Sequence, residues 1–296
     1  MTEPPPPGKP AIRLPPHFAA RAREVLGGGV SPVTPRDAAT VMLLRRAPAG
    51  PAEAGATAEA GLQVYMLRRR SSMAFAAGAY VFPGGSVDAA DDDAGIAWAG
   101  PDAAEWGRRL DAPAELARTL VCAAVRETFE ESGVLLAGPD AGTVLATTDD
   151  EGWEDDRRRL LAGSLSLAQL LRRRGLVLRS DLLRPWARWI TPVTEERRYD
   201  TRFFAAALPA GQIARDVSGE ADETAWLAPG AALEAAARRE IALMPPTAVT
   251  LGELRGCGTV PAALAARRRM TALIPEVMLA EGAAWLTVPD GVEYPL

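Results

Sequence analysis

The 296-residue chain contains a single histidine, His17, in a proline-rich stretch. Catalysis built on a core imidazole is therefore not expected. Lysine is equally scarce. Lys9 is the only one, so arginine supplies nearly all the positive charge. The formal net charge is −5, which gives no electrostatic basis for a nucleic-acid groove. Two cysteines, Cys122 and Cys257, are too few for a disulfide framework or a set of zinc ligands, and they fit a reducing compartment. No apolar run approaches the roughly 20 residues that span a bilayer. The start lacks a signal-type apolar region, and the closing EYPL matches no targeting address. The expectation is a cytoplasmic protein with neither a membrane nor a nucleic-acid partner.

What is present is ordinary for a globular protein: 48% hydrophobic and 24% charged residues. The length allows one large domain or two small ones. Residues 1–16 are rich in proline and predict a disordered tail, leaving 17–296 as one domain. PHFAARAREVLGG predicts a short helix ending at its glycines. AATVMLLRRA (38–47) and LQVYMLRRR read as strands, joined by a long Ala/Gly/Pro loop in a hairpin-like order. AGAYVFPGG reads as a short strand with a turn. DAPAELARTLVCAAVRETFEESG carries helix signals, with Asp111 as cap, Pro113 in the first turn and Gly133 as the stop. VLLAG, WARWITPV, YDTRFFAAAL and the AWLTV stretch of the tail read as strands. Residues 153–171, the stretch after Pro229, MPPTAVTLGELRGCG and VPAALAARRRMTALIP read as helical. Strands interleaved with helices predict an α/β mixed sheet covered on both faces.

The chemistry concentrates near the end of the first long helix. Glu127, Glu130 and Glu131 are spaced i, i+3, i+4, which places three carboxylates on one helical face. Val121, Val125 and Phe129 form the opposite, apolar stripe. Arg126 stands four before Glu130 and can brace it. Negative charge at a helix C-terminus opposes the macrodipole. A hard divalent cation would relieve that arrangement. A solvated acidic face braced by a surface ion pair would give the same spacing.

REtfEEsGV (126–134) resembles the second half of the Nudix box, and FPGG (82–85) resembles its first. Counting from Gly85 in the pattern G-x5-E-x7-R-E, the Glu slot falls on Asp91, and the Arg comes about 27 residues late. Glu115 is the other carboxylate available for that slot, at the wrong spacing from Arg126. A split box, with MLRRRSSMAFAAGAYVFPGG, WITP, RRYDTRFF and LMPPT around it, is similar to the branch containing peroxisomal coenzyme A diphosphatases. The resemblance implies a Nudix-type α/β/α sandwich. It also implies an insertion at about 88–112 within the box, a helical insertion at about 150–180 and extra C-terminal helices. It implies hydrolysis of a pyrophosphate bond in a small-molecule nucleoside diphosphate, coenzyme A or an acyl derivative first among them. Mg2+ or Mn2+ would sit on Glu127, Glu130 and Glu131. ADP-ribose, a nucleotide sugar or a dinucleotide is the alternative substrate, and a non-catalytic ligand-binding module the alternative class. Nudix proteins are often dimers, so a homodimer is a further expectation.

Glu130, Glu131 and Arg126 are the catalytic candidates, joined by Glu223, since the family often draws a base from a later loop; Glu220 and Asp222 lie beside it. Gly84 and Gly85 permit positive φ and close approach to phosphate. Arg70 and Arg198 are the candidate phosphate grips, although solvated strand ends are an equal reading. Trp186, Trp189 and Trp226 read as core before they read as base-stacking platforms. The remaining aspartates after Val87 read as caps of the inserted loop. One departure stands out. The branch's coenzyme A signature has Arg four residues before the Gly of GxxxFPGG, and here Ala74 precedes Gly78.

Overall fold

The computed structural model describes residues 11–48, 61–70, 78–215, 221–280 and 282–296. It begins with β1 (Ala11–Arg13), α1 (Pro16–Leu26), β2 (Arg36–Arg46), β3 (Leu62–Arg69), β4 (Ala79–Val81) and β5 (Gly84–Ser86). A 3-10 turn, Ala89–Asp92, leads to β6 (Trp98–Ala99), α2 (Ala103–Leu110) and α3 (Ala114–Ser132). Next come β7 (Ala137–Gly138), α4 (Glu151–Leu161), α5 (Leu167–Arg174), β8 (Val177–Arg179), β9 (Arg184–Ile190) and β10 (Tyr199–Ala207). The last elements are β11 (Ala221–Leu227), α6 (Pro229–Ala237), β12 (Ala242–Leu243), α7 (Pro245–Cys257), α8 (Val260–Ala265), β13 (Ala272–Leu273), β14 (Glu276–Ala280) and β15 (Ala283–Thr287).

The apolar run of β2 makes it the strand buried on both faces. Ala39, Val41 and Leu43 enter one core with residues of α2, α3, α4 and α5. Met42 and Leu44 enter a second core with residues of α6, α7 and α8. Period-2 alternation of an unbroken apolar strand dictates this. Each such side chain contributes about 1.5–3 kcal/mol on burial. The result is the expected α/β/α sandwich around a mixed sheet of order β12-β4-β3-β2-β10-β9-β13, with β11 on β3 and β5 on β2.

One detail of pairing sets up the site. β2 and β3 pair only through Leu44–Arg46 and Leu62–Val64. Beyond that they splay. β4 then lies along β3 at Leu67 and Arg68, while β5 lies along β2 at Ala38–Thr40. The chain from 79 to 86 fills the opening and carries FPGG onto the face covered by α3.

Several expectations need correction. Residues 1–10 and 49–60, including most of the expected loop, lie outside the described residues. Residues 11–16, expected in the tail, take part in the fold: β1 pairs with β15, and Ile12 and Leu14 pack with α1 against β14 and β15. Asp111 does not cap α3. It ends α2 in the left-handed conformation (φ 50°), and Pro113 takes the N-cap position of α3. The helical stretch 153–171 is two helices, α4 and α5, each with its own side-chain cap from Asp150 and Ser166. The last expected helix stops at Ala265. VLLAG contributes only Ala137–Gly138 to a strand. Its buried Leu135 is instead bonded on both sides by one side chain: Leu135 N–H donates to Gln212 Oε1 (2.9 Å), and Gln212 Nε2 donates back to Leu135 O (3.0 Å).

β6, β8 and β7 form a separate three-stranded sheet. β6 lies in the stretch between the two motif halves and β8 follows α5, so the two segments expected as insertions share one sheet.

Candidate active site

The 19-residue helix α3 is anchored by its apolar face: Val121, Val125 and Phe129 are fully buried. It ends where expected, at Gly133 (φ 72°), whose N–H donates to Phe129 O at 2.9 Å. Glutamates of its last turns press against β5. Gly84 N–H donates to Glu131 Oε2 at 2.9 Å. A Cβ on Gly85 would stand 2.4 Å from Glu127 Oε1, and one on Gly84 would stand 2.5 Å from Ala39 O. Neither glycine has a positive φ. They are needed for close approach, Gly85 to a carboxylate and Gly84 to the neighbouring strand, not for the turn that the sequence suggested.

Arg126 ties the two halves of the motif together. Its Nε and Nη2 donate to both oxygens of Asp91, at 2.8 and 2.9 Å, and Nη2 also donates to Ser86 O at 3.0 Å. Nη1 donates to Glu127 Oε1 (2.9 Å) and Glu130 Oε2 (2.8 Å). Asp91 is fully buried, and its Oδ2 accepts a further bond from Asp88 N–H at 2.8 Å. Asp91, not the exposed Glu115, thus fills the Glu slot of the box. Counting left the choice between Asp91 and Glu115 open; the contacts of Arg126 put Asp91 beside the glutamates of α3. Asp88 does cap the turn, accepting from Ala90 N–H at 2.8 Å.

Three carboxylates surround one guanidinium here. Burial pushes Glu127 up to about 7 and raises Glu130, outweighing the attraction of Arg126. Burial works against the charge of Arg126 too, but the bond to Asp91 and the nearby glutamates prevail and raise its pKa. Among the described residues no group of three or more His, Cys, Asp or Glu stands as a ready-made metal cluster, and Arg126 engages two of the three helix glutamates. The donor chemistry nevertheless fits Mg2+ or Mn2+: all oxygen, mostly buried, and with more negative than positive charge.

The structure brings together Gly84, Gly85, Arg126, Glu127, Glu130 and Glu131, with Asp91. It does not bring Glu223, Arg70 or Arg198 to them. Glu223 pairs across β11 and β3 with Arg68, at 3.6 Å between charges, and also bonds Tyr80. Tyr80 packs in the second core, so these three share the sheet face opposite α3. Arg70 is exposed and reaches Asp222 at 3.9 Å. Arg198 is buried, its Nε donating to Thr191 O (3.0 Å) and its Nη1 to Val33 O (2.7 Å). Glu220 and Ala74 lie outside the described residues. Trp186 and Trp189 are core. Trp226 packs on Tyr65 beneath the guanidinium of Arg45, 4.3 Å from its ring centre.

Sequence reading missed two groups. Arg188, Asp200, Arg202 and Asp37 form a charge network on adjoining strands β9, β10 and β2. Arg188 grips Asp200 at 2.9 and 2.7 Å, and Arg202 lies 3.8 Å from Asp37. Arg157 and Arg215 meet at the end of α3. An arginine within an acidic helix start gives no sequence signal of that contact.

A carboxylate helix seated on a glycine strand of a mixed sheet is the arrangement expected of the Nudix class. A family model described as the NUDT19 Nudix domain matches residues 102–254, and the chain belongs to that family. The chain is 30% identical over 265 residues to the chicken (Gallus gallus) acyl-coenzyme A diphosphatase NUDT19, covering 71% of this chain and 65% of that protein. The Xenopus laevis protein of the same name is 27% identical over 233 residues, covering 65% and 59%. The chain thus spans roughly three-fifths of the length of these relatives. Among solved structures, a Nudix hydrolase from Alicyclobacillus acidocaldarius superposes with a TM-score of 0.64 at 26% identity, over 79% of this chain and 97% of that one. The FPGG strand and Asp91 precede the matched stretch and are tied to it by the contacts of Arg126. No helix among the described residues is long and apolar enough to cross a membrane.

Proposed function

We propose that the protein is a Mg2+- or Mn2+-dependent pyrophosphohydrolase acting on a nucleoside diphosphate derivative, with coenzyme A or an acyl-coenzyme A as its substrate. The observation that carries this reading is the buried carboxylate set on α3, locked to the glycine strand through Arg126 and Asp91. The substrate is suggested by the names of the relatives, acyl-coenzyme A diphosphatases.

Glu127, Glu130 and Glu131 would hold the cation. When bound, it supplies charge neutralisation at the phosphoryl oxygens and a more acidic water. The chain supplies position. Arg126 fixes Glu127 and Glu130 through one nitrogen, so their oxygens are placed before substrate arrives. Gly84 N–H orients Glu131. The absence of side chains at Gly84 and Gly85 lets β5 seat directly against Glu127 and β2, which fixes the strand beside the carboxylates. Water oxygen bonds to one phosphorus, the bridging P–O bond breaks, and the bridging oxygen leaves with the other phosphate. Two phosphate monoesters result. The proton lost by water goes to a carboxylate of α3, because Glu223 lies on the opposite sheet face.

The test is a substrate panel followed by mass detection, with either metal: coenzyme A, acyl-coenzyme A, ADP-ribose, a nucleotide sugar and a dinucleotide. Cleavage of the coenzyme A compounds is expected, and Glu131→Gln should lower kcat on the order of 100-fold or more with the fold intact. Hydrolysis of none of them would refute the activity. Cleavage of the others alone would refute the substrate.

A further inference from the structure

The last turn of α3 carries Glu130 and Glu131. A helix end leaves four carbonyls without intrahelical partners. Here distant segments meet two of them and the carbonyl that follows. Arg157 of α4 is 3% exposed, and its Nη1 donates to Glu130 O at 3.0 Å. Arg215 N–H donates to Ser132 O at 3.1 Å. Thr148 Oγ1 donates to the next carbonyl, Gly133 O, at 2.6 Å. The guanidinium of Arg215 lies over Gly133, 3.1 Å from where a Cβ would stand, and donates to Thr148 O at 2.9 Å. Glu154 joins the two arginines: Arg157 Nε donates to both its oxygens at 3.1 Å, and Arg215 lies 3.7 Å away. The hydrogen bonds to Glu154 hold its carboxyl below the usual range, consistent with a standing anion between two cations.

We propose that Arg157, held by Glu154 and seconded by Arg215, is a positioning residue that sets the divalent-cation affinity of the α3 glutamates. It rests on the metal-dependent reading above. Two physical effects act together. Positive charge at the C-terminus of a helix favours the ionised, metal-binding form of Glu130 and Glu131 against the macrodipole, and Glu154 offsets the repulsion that this charge would exert on a cation. Hydrogen bonds to the ligand-bearing backbone also fix where its side chains project. Side chains lean toward the helix N-terminus while carbonyls point the other way. The guanidinium therefore grips the helix from the side opposite the carboxylates. It steadies them without occupying the cation's place. Residues outside the ligand shell commonly change metal affinity 10- to 100-fold when removed. On this account the helical insertion is part of the site's construction.

The experiment is Mn2+ titration of the full chain followed by EPR of the free ion, well below the melting temperature, on wild type, Arg157→Met, Arg157→Lys and Arg158→Ala. Arg158 lies on the same helix but is exposed, with Glu154 and Asp155 as partners. Arg157→Met should bind Mn2+ roughly tenfold more weakly. Arg157→Lys should recover part of that loss, because an ammonium keeps the charge and one bond to the carbonyl. Arg158→Ala should match wild type. A folded Arg157→Met with affinity within about twofold of wild type would overturn the proposal. So would failure of both Arg157 variants to fold, which would make the residue a requirement of the fold alone. A wild type that binds no Mn2+ would instead refute the metal-dependent reading itself.

Discussion

Asp91→Ala is the substitution that most directly tests how the interrupted motif is held together. Asp91 accepts two bonds from Arg126 and one from Asp88 N–H, all within 2.9 Å. Its side chain is 1% exposed and that of Arg126 is 11% exposed. Removing one partner of a buried ion pair costs about 3–5 kcal/mol. Arg126 keeps Glu127 and Glu130, so its charge is not orphaned and the low end applies: about 3 kcal/mol. For a chain of this size that lowers the melting temperature by about 6–12 °C. Thermal unfolding followed by circular dichroism measures it. Glu115→Gln is the matched control, since Glu115 is exposed, and should shift stability by less than about 0.5 kcal/mol. A double-mutant cycle with Arg126→Met should return a coupling of about 1–3 kcal/mol. If Asp91→Ala melts within about 2 °C of wild type, or no lower than Glu115→Gln, the assignment of Asp91 to the Glu slot is wrong.

The two glycines of β5 should fail differently. Gly84→Ala drives its Cβ into backbone of Ala39 and Thr40 and should lower the melting temperature. Gly85→Ala meets only the Glu127 carboxylate and should cost Mn2+ affinity and kcat with a smaller loss of stability; equal melting temperatures for the two would refute this division. Arg198→Met should destabilise by about 2–3 kcal/mol through two lost charge-assisted bonds to carbonyls, with KM unchanged. A raised KM in a protein of normal stability would return Arg198 to the substrate site.

The glutamate face and its apolar stripe were legible in the sequence because both follow from helical periodicity, and Gly133 marks the stop. So were the double burial of β2 and the covering of the sheet on both faces. Other features depend on contacts that periodicity does not encode. Gly84 and Gly85 read as a turn, yet lie extended because β2 splays from β3 and offers them an edge. Counting put the Glu slot at Asp91 but left Glu115 open, since only the guanidinium of Arg126 separates Asp91 from the aspartates around it. Asp111 has the chemistry of a cap but sits two residues before the N-cap position, at the end of α2. Arg198 and Glu223 carry the right charge for phosphate and base. Nothing in their neighbourhoods says that one serves two carbonyls and the other faces the far side of the sheet.

The small sheet β6-β8-β7 has a consequence for how this chain can change over generations. β6 comes from the interruption of the box and β8 from the helical insertion. Ser180, just past β8, donates to Ala99 O at 2.8 Å, and Arg118 of α3 braces the same interruption at Asp93 O, Ala94 O and Ile96 O. Loss of either piece would expose a strand edge of the other, with unpaired backbone groups and a surface inviting misassociation. The two additions are therefore coupled as cargo: relatives should carry both or neither, and a trimmed variant that sheds one should lose solubility before it loses its catalytic helix.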